Sequence, residues 1–242
     1  MSIEEMPIVP NAKAKARSAP RWEIKTKARI HSSLRSLSKT SSVLKKRDAK
    51  EADTRLLVDD ILVNALGYDK FEDLTAEFAV RNDLADYGIR IDKQLKAFVE
   101  VKRILQELSS RHLSQVESYA LKEGVEWAIL TNAQVWQVYH VEPVKGKQSE
   151  VTLVFQVDIL DEDTKPSLKT DLLFLISKEG LSKGRLDEFV SAQNAVSSKT
   201  LKPILLSDDV LSTVRRVVKR KTKQNVDLKD LKHAIKKILE VE

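Results

Sequence analysis

The chain has no cysteine, and aromatic side chains make up only 5% of its 242 residues. Without cysteine there is no disulfide framework and no thiolate zinc site, and a cytoplasmic location is the expectation. The four histidines, His31, His112, His140 and His233, are scattered without the short spacings of zinc or His-based nuclease motifs. No apolar run reaches the roughly 18 residues of a membrane span, and the N-terminus lacks the apolar stretch of a secretory signal. A G-x-x-x-x-G-K-S/T sequence is also missing, so no P-loop motor is encoded in this chain. What remains, 42% apolar and 32% charged residues, is ordinary for a globular protein with a full core in one or two domains.

Positive charge is unevenly spread. The net charge is +6, yet the first 50 residues alone hold 13 Lys or Arg against 4 Asp or Glu. Residues 1–28, with Pro7, Pro10 and Pro20 and no hydrophobic period, read as a basic flexible arm. Such an arm serves either to contact phosphates or only to keep the chain soluble. From Trp22 to about Lys46, Ile30, Leu34 and Leu37 fall at helical spacing, with Arg35, Lys39, Lys45, Lys46 and Arg47 outward.

The stretch that carries chemistry is Leu84 to Tyr119. Leu84, Ile89 and Ile91 and the alternating run Lys96 to Lys102 predict two hairpin-paired strands joined at Asp92-Lys93-Gln94. Alternation puts Glu100 and Lys102 on one face, with Asp86 beside Glu100 on the neighbouring strand. Two carboxylates and an ammonium at one point suit a hard divalent cation, Mg²⁺ or Mn²⁺, held by Asp86 and Glu100. Such a cation lowers the pKa of water and neutralises charge on a scissile phosphate, while Lys102 orients the water or stabilises the transition state. In the following helix, from about Ser110 to Glu123, Gln115 and Tyr119 are four apart and share a face. They can reach a phosphate or base together, or the Tyr can simply pack and the Gln cap a loop.

Asp86, Glu100-Val101-Lys102, Gln115-x-x-x-Tyr119, and Trp127 to Asn132 followed by Val135 to Tyr139, together resemble the PD-(D/E)xK nuclease domain at the N-terminus of type I restriction enzyme R subunits. Glu51 to Arg55 and Leu66-Gly67-Tyr68-Asp69 resemble the opening helix of that domain and its exit. The resemblance covers about residues 48 to 142. A lone Asp and Glu-x-Lys would carry little weight; the ordered set carries more. Two positions depart from the family pattern: Ala85 stands where a Pro usually precedes the Asp, and Ala133 where a Gly often follows Thr-Asn. Neither is a ligand. The resemblance implies a restriction-endonuclease-like α/β fold, a mixed sheet flanked by helices, and Mg²⁺-dependent cleavage of DNA. It also implies a Glu on the opening helix that faces the metal. Glu51 is the candidate and Glu77 the competitor, although acids in a first helical turn are also simple dipole partners.

Two strands around Asn132-Ala133-Gln134 and a third over Val151 to Val157 complete the expected sheet, with Trp127, Trp136 and Tyr139 read as core. Beyond Asp161 to Pro166 the pattern turns helical: Leu172 to Lys178, Lys183 to Ala195, Ser207 to Lys221 and Asp227 to Val241. The expected division is an arm over 1–28, a nuclease-like domain over 29–160 and a helical C-terminal region over 161–242. Arg215, Arg216, Lys219 and Arg220, with Lys221 and Lys223, form a basic patch dense enough to suggest a phosphate-binding surface.

Two readings of function compete. One is a restriction-related, metal-dependent DNA endonuclease. It would act on both strands as a homodimer or as two molecules together, with a protein partner as one source of specificity. The other is a non-catalytic nucleic-acid-binding or assembly module that keeps the fold. A purely structural protein, its charges only surface, is a third reading that the intact set of would-be ligands argues against.

Overall fold

The structure, a computed structural model, describes residues 19–81, 83–142 and 149–240. Most of the basic arm expected over 1–28 lies outside these residues, but its end does not: α1 spans Arg21–Lys46. Thr26, Ile30, Leu34, Leu37, Ser41 and Leu44 are its buried side, three or four residues apart as one helical face requires. The helix begins beside Trp22, where the spacing of its apolar residues predicts it, and so takes up the end of the segment read as an arm.

Six strands form one sheet in sequence order: β1 Leu74–Val80, β2 Asp83–Ile91, β3 Gln94–Val101, β4 Trp127–Thr131, β5 Val135–Glu142 and β6 Glu150–Asp158. Every neighbouring pair is antiparallel except β3 and β4. A parallel pair needs a crossover, and α3, Ser110–Glu123, provides it. The result is the expected mixed sheet flanked by helices. The β2–β3 hairpin turns on Asp92 and Lys93 alone, at φ 50° and 65°, the double left-handed geometry that matches strand twist. Gln94 already pairs with Ile91, so the turn is one residue shorter than expected.

α3 covers one face of the sheet, where Phe98, Val116, Tyr119, Ala120, Ala128 and Leu130 pack together. α2, Glu51–Asp60, packs on β3. It continues into a wider π turn over Ile61–Ala65 rather than a regular helix, and Leu66 N–H donates to Ile61 O at 2.9 Å. The wide turn lets Ile61, Leu62, Ala65 and Leu66 all become buried.

Among the described residues, 19–186 form one compact unit and 187–240 a second. The first unit thus runs past the boundary expected at residue 160. The reason is α4, Pro166–Leu175, which buries Leu172, Leu173, Phe174 and Leu175 and packs along α1. Phe174 stacks on Trp22 with ring centres 6.0 Å apart. α5, Lys178–Ser182, follows, and its Glu179 holds the Arg29 guanidinium through two bonds of 2.8 Å. Beyond lie α6 Arg185–Ala195, α7 Ser198–Leu205, α8 Asp208–Thr222 and α9 Leu228–Glu240. α7 was not expected, because Pro203 lies inside it and proline argues against a helix interior. In the second unit Leu211 is the one buried residue among those described.

Two glycines take φ near +67° and +82°, Gly124 after α3 and Gly67 after the π turn. A Cβ on Gly124 meets nothing, whereas one on Gly67 runs into the Arg29 guanidinium. Gly124→Ala is expected to cost about 1 kcal/mol from backbone strain alone. Gly67→Ala should cost clearly more, because Arg29 would also lose its bonds to Ala65 O, Leu66 O and Glu179. Denaturant unfolding of the two variants checks the ranking.

Candidate active site

The site starts from a break in strand pairing. β1 and β2 pair Ala76 with Tyr87 and Phe78 with Ala85, and neither Glu77 nor Asp86 between them is a ladder partner. Glu77 takes φ +50° there. Regular alternation would put Ala85 and Tyr87 on the same face. Instead Ala85 packs in the cluster under α3, while the Tyr87 hydroxyl donates to Arg55 O on α2 at 3.1 Å. The distortion leaves Asp86 at the changeover, where distorted strands commonly re-aim a functional side chain.

Asp86 Oδ2 accepts from Val101 N–H at 2.7 Å, which brings the carboxylate beside Glu100 on β3. Its Oδ1 lies 3.1 Å from Arg55 Nη2. Glu100 is 3% exposed. Lys102 Nζ donates to Glu100 Oε1 at 2.6 Å and to Gln115 Oε1 at 3.3 Å. From Gln115 the chain of bonds continues: its Nε2 donates to Tyr119 OH at 2.8 Å, and that hydroxyl donates to Leu84 O at 3.2 Å. Asp86, Glu100, Lys102, Gln115 and Tyr119 therefore converge in one array tying β2, β3 and α3 together.

Glu51, at the start of α2, joins them electrostatically. Its charge raises the pKa of both Asp86 and Glu100, and its carboxylate lies 3.9 Å from Arg55. Glu77 reaches only Arg55, at 3.6 Å, with a side chain 68% exposed, so Glu51 is the better placed of the two candidates. Arg55 itself is the site residue that the sequence reading did not single out. It stands one helical turn after Glu51, a spacing that could have flagged it. Its guanidinium gathers Glu51, Glu77 and Asp86.

Arg215, Arg216, Lys219 and Arg220 are exposed on α8 in the second unit. The array is built wholly from the first.

Burial dominates the electrostatics. Desolvation raises the Asp86 pKa against the pull of the Val101 N–H and Arg55. Desolvation is also the largest cause at Glu100, whose pKa is pushed up to about 7 despite the Lys102 bond, with the Asp86 charge adding to the rise. Glu100 Oε2 is buried and, like Arg55 Nε, has no hydrogen-bond partner among the described residues, an uncommon and costly state for a carboxylate oxygen. That oxygen, with the adjoining Asp86 carboxylate, is a donor set suited to a hard cation that uses one or two carboxylates and completes its shell with water and phosphate oxygens. No group of three or more His, Asp or Glu side chains able to hold a metal occurs among the described residues.

A carboxyl whose folded pKa lies above its unfolded value holds extra protons when folded. Glu100 therefore favours the folded state below about pH 4.5, and that contribution is lost as pH rises to about 7. In chelator-treated protein, carboxyl-carbon NMR should show Glu100 titrating near pH 7, and Glu100→Gln should flatten the fall in stability across this window. A Glu100 midpoint at the ordinary carboxylate value would contradict the desolvated geometry.

Residues 50–154 match the family described as type I restriction enzyme R protein N terminus (HSDR_N). No curated protein and no solved structure gives a significant match to the chain. The matched segment contains every member of the array, from Glu51 through Tyr119, together with the β4–β5 hairpin. There Ala133 sits at φ 67°, the left-handed region that favours the Gly more usual at that place. Over residues 50–154, a little under half of its length, the chain is similar to the type I restriction enzyme R protein N-terminus family.

Proposed function

We propose that this protein is a restriction-related nuclease that hydrolyses phosphodiester bonds in DNA with the aid of Mg²⁺, for which Mn²⁺ can substitute. The observation that carries the reading is the hydrogen-bonded set of Glu100, Lys102 and Gln115 with Asp86 held beside it on the Val101 N–H, all inside the matched segment. Asp86 and Glu100 would hold the cation, which supplies charge neutralisation at the scissile phosphate and a lowered pKa for water. Lys102 would donate to the attacking water or to a phosphate oxygen, its position set by Glu100 and Gln115. Water adds to phosphorus, the sugar oxygen leaves with the bonding pair, and the water's proton passes to solvent or to the leaving oxygen. Tyr119 anchors Gln115 and is a positioning residue. Arg55 holds Asp86 in place and offsets the repulsion from Glu51. The exposed cations of α8 would add phosphate contacts that fix the position of DNA without reading its sequence. Cleavage of both strands would use two copies of the chain, and a protein partner would supply specificity.

A second reading has its own observation. Arg55 on Asp86 and Lys102 on Glu100 already oppose both carboxylates with cations, so the fold stands without a metal and could serve as a DNA-binding or assembly module. Plasmid nicking in Mg²⁺ or Mn²⁺, beside calorimetric titration of the metal, separates the two. Wild type should bind metal and nick. Asp86→Ala should lose both. Lys102→Ala should bind DNA nearly as well as wild type while nicking falls at least about a hundredfold. Wild type that binds DNA in a salt-dependent way but neither binds metal nor nicks would establish the module instead.

A further inference from the structure

A concavity with a largely apolar wall and a basic rim lies in the first unit, on residues that the carboxylate array does not use. It is a cavity of about 450 Å³ between the middle of α1 and the start of α4, within the range of roughly 300–1,000 Å³ that small-ligand pockets occupy. Arg35, Lys169, His31, Ser32 and Ser38 line it, and no Asp or Glu does. Leu34, Ile159 and Pro166 supply apolar wall. Pro166 is the first residue of α4, so the helix presents its N-terminal end on this side. A helix N-terminus favours negative charge.

The feature that points to a ligand is Lys169. It is 7% exposed. Its Nζ donates to Ile159 O at 3.0 Å and to Asp161 O, which satisfies hydrogen bonds but leaves the positive charge without a counter-ion in contact. No carboxylate oxygen lies within 4.0 Å of Lys169 Nζ or of the Arg35 guanidinium among the described residues. The nearest acid that acts on it, Asp161, turns its carboxylate to Thr164 Oγ1 and to Asp163 N–H. A buried cation with no paired anion is costly, and an anion entering the cavity would supply the missing partner.

We propose that this cavity binds a phosphate group, with Lys169 and Arg35 as the cationic donors; the Ser32 and Ser38 hydroxyls beside them already donate to Arg29 O and Ile159 O. Arg35 is exposed and makes no ion pair among the described residues, so its forked donors are available to two phosphate oxygens. The volume exceeds what a bare phosphate fills, and the apolar wall suits an uncharged organic body such as the sugar of a nucleotide. The site does not depend on the nuclease reading.

Calorimetry on the full chain in chelator, at constant ionic strength, tests it with inorganic phosphate, a deoxynucleoside 5′-monophosphate and the parent deoxynucleoside. Phosphate and monophosphate should bind and the deoxynucleoside should not. Tighter binding of the monophosphate assigns the site to phosphoesters, and equal binding assigns it to free phosphate. Arg35→Ala should weaken binding at least tenfold and Lys169→Met should abolish it, while Glu100→Gln leaves it unchanged. Arg35 is exposed, so its variant decides the matter even if Lys169→Met fails to fold. Absence of phosphate binding to wild type, undiminished binding by Arg35→Ala, or equal binding of the deoxynucleoside would overturn the proposal.

Discussion

Two carboxylates removed from water govern the centre of this protein. Asp86 and Glu100 sit side by side where burial raises the pKa of each and the charge of one opposes the ionisation of the other. Such a pair persists only if the surroundings answer it. The answers come from four elements: Arg55 on α2, the Val101 N–H on β3, Lys102 just beyond β3, and Gln115 on α3, which holds Lys102 in turn. Within the cluster, Glu100 Oε2 and Arg55 Nε are buried without a hydrogen-bond partner among the described residues.

The sheet breaks regular pairing at Glu77 and Asp86, at Ile89/Arg90 in β2–β3 and at Val138/Tyr139 in β5–β6, and the first of these breaks delivers the cluster. A parallel β3–β4 pair forces the α3 crossover, and the crossover carries Gln115 and Tyr119 over the hairpin. The omitted pair Glu77 and Asp86 is where β2 changes the face it presents, and the change aims Asp86 at the end of β3. Elsewhere the two units differ sharply in how they are held. The first buries long apolar stripes of α1, α4 and the sheet, while the second buries only Leu211 among its described residues. Its helices stand on capping, on their dipoles and on amphipathic pairing of α8 with α9.

Much of this was legible beforehand. The β2–β3 hairpin, α3 at its observed bounds, the β4–β5 pair and the core placement of Trp127, Trp136 and Tyr139 follow from periodicity, which reports burial directly. That Asp86 lies on the strand next to Glu100 and Lys102 follows from the hairpin, whereas its aim at them depends on the break in pairing at Glu77 and Asp86. Arg55 was not readable in the same way. Its partners Glu77 and Asp86 come from other elements, and a charged residue on a helix face looks solvated until its neighbours are known. The packing of α4 is a related case: the acidic, proline-ended connector at Asp161 to Pro166 looks like a boundary, but α4 folds back onto α1.

The sequence by itself determined most of the strands, α1 and α3, which of their faces turn inward, and that Gln115 and Tyr119 share one helical face, because these depend on spacing along the chain. Only the tertiary structure decided what depends on contact between distant segments. It set the flip at Asp86, the desolvation that lifts Glu100 to about pH 7, and the capture of Asp86 by Arg55. It also enclosed the Lys169 ammonium without a carboxylate. Burial and charge pairing are properties of the neighbours that packing supplies, and spacing along the chain does not contain them.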